Sequence, residues 1–403
     1  MSTMSKKKGV LAALVMFGLV IVMLYFVATP IQMYLGMWGV LLTELILLAM
    51  AVGGALIMKE PFREVFPVHI PHIRQIFGTL LIWVSGFLLT LFSTLLVGYF
   101  FPDQMGATGE SINGVVASVA FPIRFLIIAV SPAICEEAVH RGFILHHIKP
   151  LGKKWLIVLI GGVLFGLFHM DPMRFLGTGI LGAVITYAVL ETDNMFYGFL
   201  IHFVNNTLSV LASLMVEQVE VAADTSAQAF SLSVVGMYMI LICVVPWTLW
   251  AGTALLKPKT AEKKKFNVKR LIISIVISIV CLVGGGALFV GGLTQEGMAT
   301  TGVQNPTVAE LVQEPYSIDL EIRPNTRQQM TAVLATPKGV LHVSIIDDEE
   351  NVAYEFTAQE MTGNVPLNLE AGHYTLQVDL QEVAEEEKNS DEVITFQLIL
   401  VQM

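Results

Sequence analysis

The sequence predicts an all-α polytopic membrane protein of about nine transmembrane helices, followed by a β-rich, β-sandwich-like extracytoplasmic domain. Three observations predict it. The 403 residues are 55% hydrophobic and only 14% charged, below the roughly 25% usual in soluble domains, and the mean hydropathy is +0.70. Long runs are apolar on all sides rather than along one stripe, which excludes a large soluble protein of amphipathic helices. Residues 300–403 then change to short, alternating and β-branched stretches separated by turn formers.

Each spanning helix needs roughly 20 predominantly apolar residues. Such stretches lie at 10–29, 36–58, 75–101, 114–135, 155–171, 174–190, 196–216, 230–255 and 271–293. Lysine and arginine mark cytoplasmic loops. Lys6, Lys7 and Lys8 precede the first span, Lys59 and Arg63 follow the second, Lys149, Lys153 and Lys154 the fourth, and a run from Lys257 to Arg270 the eighth. The alternate loops 102–113 and 217–229 carry acidic residues instead, among them Asp103, Glu110, Glu217, Glu220 and Asp224. Arg174, in a very short connection, is the exception. The pattern gives a protein integral to the cell membrane with its N-terminus cytoplasmic and its C-terminal domain outside. The first apolar run exceeds the 7–15 residues of a signal peptide and no A-x-A site follows, so it reads as an uncleaved span.

In the tail, Tyr316–Ile322, Val340–Ile346, His373–Leu380 and Val393–Val401 read as strands, with turns at Pro324-Asn325, Pro337-Lys338-Gly339 and Ala371-Gly372. Glu385 to Asp391 reads as an exposed acidic loop. No catalytic constellation appears here, and a protein partner outside the cytoplasm is the expected role. The net charge of −10 hides an asymmetry, basic before residue 271 and acidic after 300. No basic stripe is interleaved with aromatics, so nucleic acid is not an expected partner. Cys135, Cys243 and Cys281 lie in apolar stretches without the spacing of a metal knuckle or a disulfide framework.

Ionisable side chains within a span cost roughly 2.5–3.5 kcal/mol each on insertion scales, so they need a reason. Three clusters stand out: Glu136-Glu137-Ala138-Val139-His140-Arg141, Phe165 to His169, and His202 to Asn206. Ser131 and Pro132 match an N-cap and first-turn proline, which predicts a break there and a new helix. On that helix Glu137 and Arg141 are four apart, in the order that favours an ion pair. Glu136 points about 100° away without that partner, which makes it the better general base. Glu136 precedes, and His169 follows, the polar turn 149–154 by similar lengths, so both sit roughly 20 Å from it and can meet. His202 and Asn206 share one helix face.

Glu136-Glu137-x-x-x-Arg141, Phe165-x-x-x-His169 and His202-x-x-x-Asn206, in that order, resemble the three motifs of the CPBP family of intramembrane proteases. That family includes the CAAX prenyl endopeptidases and the Abi-type bacteriocin-immunity proteins. The resemblance covers about residues 115–215. It implies an endopeptidase acting on a membrane-associated or lipid-modified protein, with Glu136 activating water, His169 and His202 as metal ligands or polarising groups, and Asn206 as a transition-state donor. Zinc on His169, His202 and Glu136 is one implied cofactor, and a metal-free glutamate mechanism is the other. Position 140, commonly Phe in the family, is His here. It reads as a group tuning Glu136, an added ligand, or a substitution tolerated at the helix surface.

The resulting organisation is N-terminal transmembrane helices (1–113), a CPBP-like core (114–216), C-terminal transmembrane helices with a basic cytoplasmic loop (217–299) and an acidic β-rich domain (300–403). His146 and His147 read as solvated interface residues, and Tyr187, Glu191 and Asp193 as span ends. A non-catalytic membrane scaffold or immunity protein, binding a partner through its outer domain, is the competing class; buried His–Glu pairs also brace helices. A proton-relay transporter would show inverted repeats with broken helices, and none is seen.

The charge alternation makes topology testable. Reporter fusions after residue 265 are expected to read as cytoplasmic and fusions after residue 300 as external. A cytoplasmic signal at residue 350 would overturn the nine-span arrangement.

Overall fold

A computed structural model describes residues 6–116, 119–219, 231–257, 267–296, 298–324, 326 and 328–402. The acidic residues Glu220 and Asp224, the basic run at 258–266 and Asn325 lie outside them. The helices are α1 Lys6–Leu35, α2 Met37–Ile57, α3 Ile73–Phe100, α4 Pro102–Val116, α5 at 121–148, α6 Lys154–Phe168, α7 Pro172–Thr192, α8 Phe196–Val219, α9 Leu232–Leu256 and α10 Val268–Glu296. Six are long and apolar enough to cross a membrane: α1, α2, α3, α7, α9 and α10. The protein is therefore an integral membrane protein. Helix α6 and the apolar part of α8, Phe196–Ala212, are shorter. Helices α5, α6 and α8 carry the polar clusters.

The expected break at Ser131-Pro132 does not occur. Helix α5 runs through it by alternating α-helical and π-helical turns, the latter at Leu126–Val130 and Ala138–Ile144. Ser131 has helical φ −64° and ψ −44° rather than the extended backbone of an N-cap, and its hydroxyl donates back to Ile127 O at 2.8 Å. A proline inside a helix removes one amide donor, and a widened turn accommodates the mismatch without ending the helix. The segment 114–135 is likewise not one helix, since α4 ends at Val116 and α5 begins at Phe121.

Helices α6 and α7 form a tight antiparallel hairpin. His169 closes α6, Met170 takes φ +50°, and Asp171 caps α7 by accepting from Met173 N at 2.8 Å, with Pro172 in the first turn. Glycines let the backbones touch: a Cβ on Gly162 would stand 2.8 Å from Gly179 O, and one on Gly166 would stand 2.7 Å from Phe175 O. Small residues serve this purpose where lipid supplies no hydrophobic drive for association. Lys154 pairs with Glu191, and Lys149 with Asp193. Glu191 and Asp193 are thus ion-paired at the hairpin's end.

The described residues form two compact units, Met1–Met215 with Val235–Ala287, and Val216–Val234 with Leu288–Met403. In the second, two four-stranded antiparallel sheets share one apolar core. The strands are β1 Met298–Thr300, β2 Tyr316–Ile322, β3 Gln328–Ala335, β4 Val340–Asp347, β5 Val352–Ala358, β6 Glu360–Leu367, β7 Gly372–Gln381 and β8 Thr395–Gln402. The orders are β1-β8-β3-β6 and β2-β7-β4-β5. Alternate residues face inward, as in Met330, Ala332 and Leu334 of β3 and Phe396, Leu398 and Leu400 of β8. Pro366 is tolerated because β6 is an edge strand. The four stretches read as strands are strands; β1, β3, β5 and β6 were not foreseen.

Within this domain His342 lies between two carboxylates and as the imidazolium donates to both, from Nδ1 to Asp379 at 2.9 Å and from Nε2 to Glu355 at 3.1 Å. Burial by itself disfavours the imidazolium, but the hydrogen bonds and charges of Asp379 and Glu355 outweigh it and raise the His342 pKa. A raised folded-state pKa gives stability that is full below the unfolded value, about 6.5, and lost as pH rises through the folded value. Thermal unfolding of this domain in the full chain is therefore expected to fall from pH 6 to pH 8, and His342→Gln to flatten that slope. An unchanged slope in the variant would refute the assignment.

Candidate active site

The first motif lies where α5 passes from its α-helical turn Ser131–Glu137 into the π-helical turn Ala138–Ile144. Its residues are buried on all sides. Glu137 is the hub. Its Oε1 accepts from Arg141 Nη1 at 2.8 Å and lies 2.9 Å from His202 Nδ1 on α8. A carboxylate oxygen only accepts, so Nδ1 of His202 carries the proton and Nε2 presents a lone pair in the neutral ring. Arg141 continues the chain, donating from Nη2 to Gly182 O at 2.8 Å on α7. Its guanidinium lies over the Phe165 ring, 4.5 Å from the centroid. The ion pair expected from the four-residue spacing is formed, and it links α5, α6, α7 and α8.

Two glycines permit this closeness. A Cβ on Gly198 would stand 2.9 Å from Glu137 Oε2, and one on Gly182 would stand 2.5 Å from Phe165 Cβ.

Glu136 points elsewhere. It is buried, its Oε2 has no hydrogen-bond partner among the described residues, and it lies 3.9 Å from His202 Nε2. His169 is held by its Nδ1, which donates to Phe165 O at 2.9 Å and leaves the Nε2 lone pair free in the neutral ring. Asn206 donates from Nδ2 to Ile128 O at 2.9 Å. Ile128 is the residue whose carbonyl the missing amide of Pro132 leaves without its i+4 helical donor. Asn206 therefore gives that carbonyl a donor, and its second amide hydrogen is available.

His140 does not stand at a helix surface. It is buried, with its ring edge-on to Phe165 and Phe168 at 5.1 and 5.0 Å between centroids. Its Nε2 has no partner among the described residues. His147 is buried as well, contrary to the expected solvated interface.

Two charged groups near Glu136 were not assigned to the site by sequence reasoning. Glu44 of α2 is buried, its Oε2 is unpartnered among the described residues, and the charge of Glu136 acts on it. A lone carboxylate in an otherwise apolar span was the available signal. Arg174, at the start of α7, acts electrostatically on Glu136 and His169; the signal was a cation in a connection where topology wanted none.

The donor types of Glu136, His169 and His202 suit a metal, but their spacing does not gather it. Among the described residues, the one group of three whose ligand atoms all lie within 4.8 Å of one another is Glu60, His146 and His147. A cavity of about 440 Å³, lined by Ile82, Trp155, Tyr187 and Trp250 among others, includes none of the motif residues.

Three helices of a polytopic protein thus converge on a buried glutamate with an unpartnered oxygen, beside two histidines and an asparagine. Residues 118–208 match the model of type II CAAX prenyl endopeptidases, Rce1-like, and so form a CPBP-family domain holding every motif residue. A comparison with curated proteins finds no match.

The hub separates the two glutamates experimentally. Glu137→Gln and Arg141→Ala are expected to lower thermal stability in detergent, on the order of 3–5 kcal/mol for a broken buried pair. Glu136→Gln is expected to leave stability unchanged or raise it, since it removes a buried charge without a hydrogen-bonding partner at Oε2. Equal destabilisation by all three would erase the distinction.

Proposed function

We propose that the protein is an intramembrane endopeptidase that hydrolyses a peptide bond in a membrane-associated or lipid-modified protein through water activated by Glu136. The observation that carries this reading is the unpartnered Glu136 Oε2, 3.9 Å from the lone-pair nitrogen of His202, beside a Glu137 whose Oε1 is held by both Arg141 and His202. A water between them donates one hydrogen to Glu136 and one to His202, which leaves its oxygen lone pair aimed outward. As that oxygen attacks the carbonyl carbon, its proton passes to Glu136, the general base. Glu137 fixes the His202 tautomer, so the imidazole cannot turn its N–H toward the water. The developing oxyanion is stabilised by the second amide hydrogen of Asn206 and the positive charge of Arg174. Glu136 then returns its proton to the leaving amine, and the bond between carbonyl carbon and nitrogen breaks.

Zinc on Glu136, His169 and His202 is the rival reading. It requires His169 to close on the other two, and no step above passes through it. The nine-span arrangement with Lys149, Lys153 and Lys154 on the cytoplasmic face belongs to this proposal. It takes α6 and the apolar part of α8, the two shorter apolar helices, as further spans beside the six long ones.

Purified protein is expected to cleave a membrane-anchored peptide. Glu136→Gln should lower the rate by at least 100-fold, the scale of one general base, with the fold retained. Full activity of chelator-washed protein with no bound transition metal would rule out the zinc reading. Wild-type activity in Glu136→Gln would overturn the proposal itself.

A further inference from the structure

Ten residues beyond Glu136 on the same helix, His146 and His147 meet a third group that the proposed chemistry does not use. It comes from the turn after α2. Lys59 takes φ +56° and closes α2. Glu60 N donates to Ala55 O at 3.0 Å and Lys59 N to Leu56 O at 3.1 Å, the bond pattern of a Schellman cap. The cap fixes the backbone of Glu60. The chain then makes the short helix Phe62–Val65, with Val65 fully buried, and Phe66 fills the space beside Gly142, where a Cβ would stand 2.5 Å from its ring.

Both histidines are oriented by their Nδ1 atoms. His146 Nδ1 donates to Glu64 O at 3.1 Å, and His147 Nδ1 donates to Phe143 O at 2.7 Å. A carbonyl accepts and cannot donate, so in the neutral rings both Nε2 atoms carry lone pairs. Glu60 Oε2 lies 3.8 Å from His146 Nε2, and the three ligand atoms all lie within 4.8 Å of one another. His147 is 2% exposed, and its Nε2 has no hydrogen-bond partner among the described residues. A buried lone pair without a donor is costly unless something occupies it. Histidines fixed through Nδ1 by backbone carbonyls, with Nε2 directed at a common point beside a carboxylate, are the arrangement of metal ligands with their outer-shell partners.

We propose that Glu60, His146 and His147 bind a divalent transition metal, zinc by the nature of the donors, that clips the turn after α2 to the end of α5. Two imidazoles and a carboxylate suit zinc. Bonds of about 2.0–2.2 Å in a tetrahedron place ligand atoms about 3.3–3.6 Å apart, so the three groups need close by little more than 1 Å. His146 and Glu60 are half-buried, which leaves one face for a water as fourth ligand. The clip is structural. The segment it anchors runs on to Pro67, His69 and His72, which hold the start of α8: Pro67 O accepts from Met195 N at 2.7 Å, Asn194 bridges the His69 backbone with two bonds of 3.0 Å, and Tyr197 accepts from His72 N at 2.9 Å. Glu60 lies outside the family-matched residues 118–208, so the site is built from both the domain and its N-terminal extension. It does not depend on the proteolytic reading.

The test uses the full chain in detergent, stripped with chelator, equilibrated with Zn²⁺ and washed, then read by elemental analysis and thermal unfolding. The His169→Ala protein, which lacks a ligand of the rival catalytic metal, is expected to retain about one zinc and to unfold at a higher temperature with it. Glu60→Gln and His147→Gln are expected to weaken zinc binding by at least 10-fold. Glu60→Gln, in a half-exposed turn, decides the matter if His147→Gln fails to fold. Absence of zinc from the equilibrated wild type, or zinc retained equally by Glu60→Gln, overturns the site. Zinc lost in His169→Ala but kept in Glu60→Gln overturns it as well.

Discussion

One carboxylate oxygen organises the membrane unit. Glu137 Oε1 takes a guanidinium hydrogen from its own helix and an imidazole hydrogen from α8, and the guanidinium then reaches the backbone of α7 over a ring supplied by α6. In a medium without water, a charge of either sign is tolerable only with a partner, and removing any one contact leaves the others unmatched. Three helices are therefore placed with respect to each other by hydrogen-bond lengths and the fourth by the ring under the guanidinium, in addition to their apolar packing, which is permissive to a slide of an ångström or more. The free oxygen of Glu136 is set against this background: its neighbour in sequence absorbs the available donors.

Departures from regular helix fall where the polar groups are. Pro132 leaves the Ile128 carbonyl without its ordinary donor, and Asn206, one helical turn beyond His202, supplies one. The π-helical turns on either side let α5 continue through the proline and change the angular spacing of the residues that follow. Structural repair and candidate chemistry thus use the same side chains. Asn206 joins α8 to α5 with one hydrogen and keeps the other.

The parts of this arrangement set by local periodicity were legible in the sequence. The long apolar helices, the four-residue Glu137–Arg141 pair and the strands with clean alternation, such as Thr395–Gln402, follow from spacing alone. Other features depend on pairing across the chain and have no local mark. Strand β3 opens on Gln328-Gln329 and β6 contains Gly363 and Pro366, so each reads as a turn until its partner is known. Ser131-Pro132 carries the signature of a helix start, and only the donation from Asn206 and the widened turns show why the helix passes through. The contact of His202 with Glu137, the approach of Glu44 to Glu136, and the meeting of Glu60 with His146 and His147 join residues far apart in sequence.

The hairpin of α6 and α7 carries a mechanical consequence. Where Gly162 faces Gly179 and Gly166 faces Phe175, backbone lies against backbone with no side chain between to act as a compliant spacer. Such a stem resists both splay and shear, because either motion opens a gap that lipid tails cannot fill or forces main-chain atoms into overlap. His169 stands at its tip, tethered to Phe165 on the same rigid rod. Its imidazole is thus carried like a tool on a stiff cantilever, and its reach toward the other helices is governed by tilting of the hairpin as a whole.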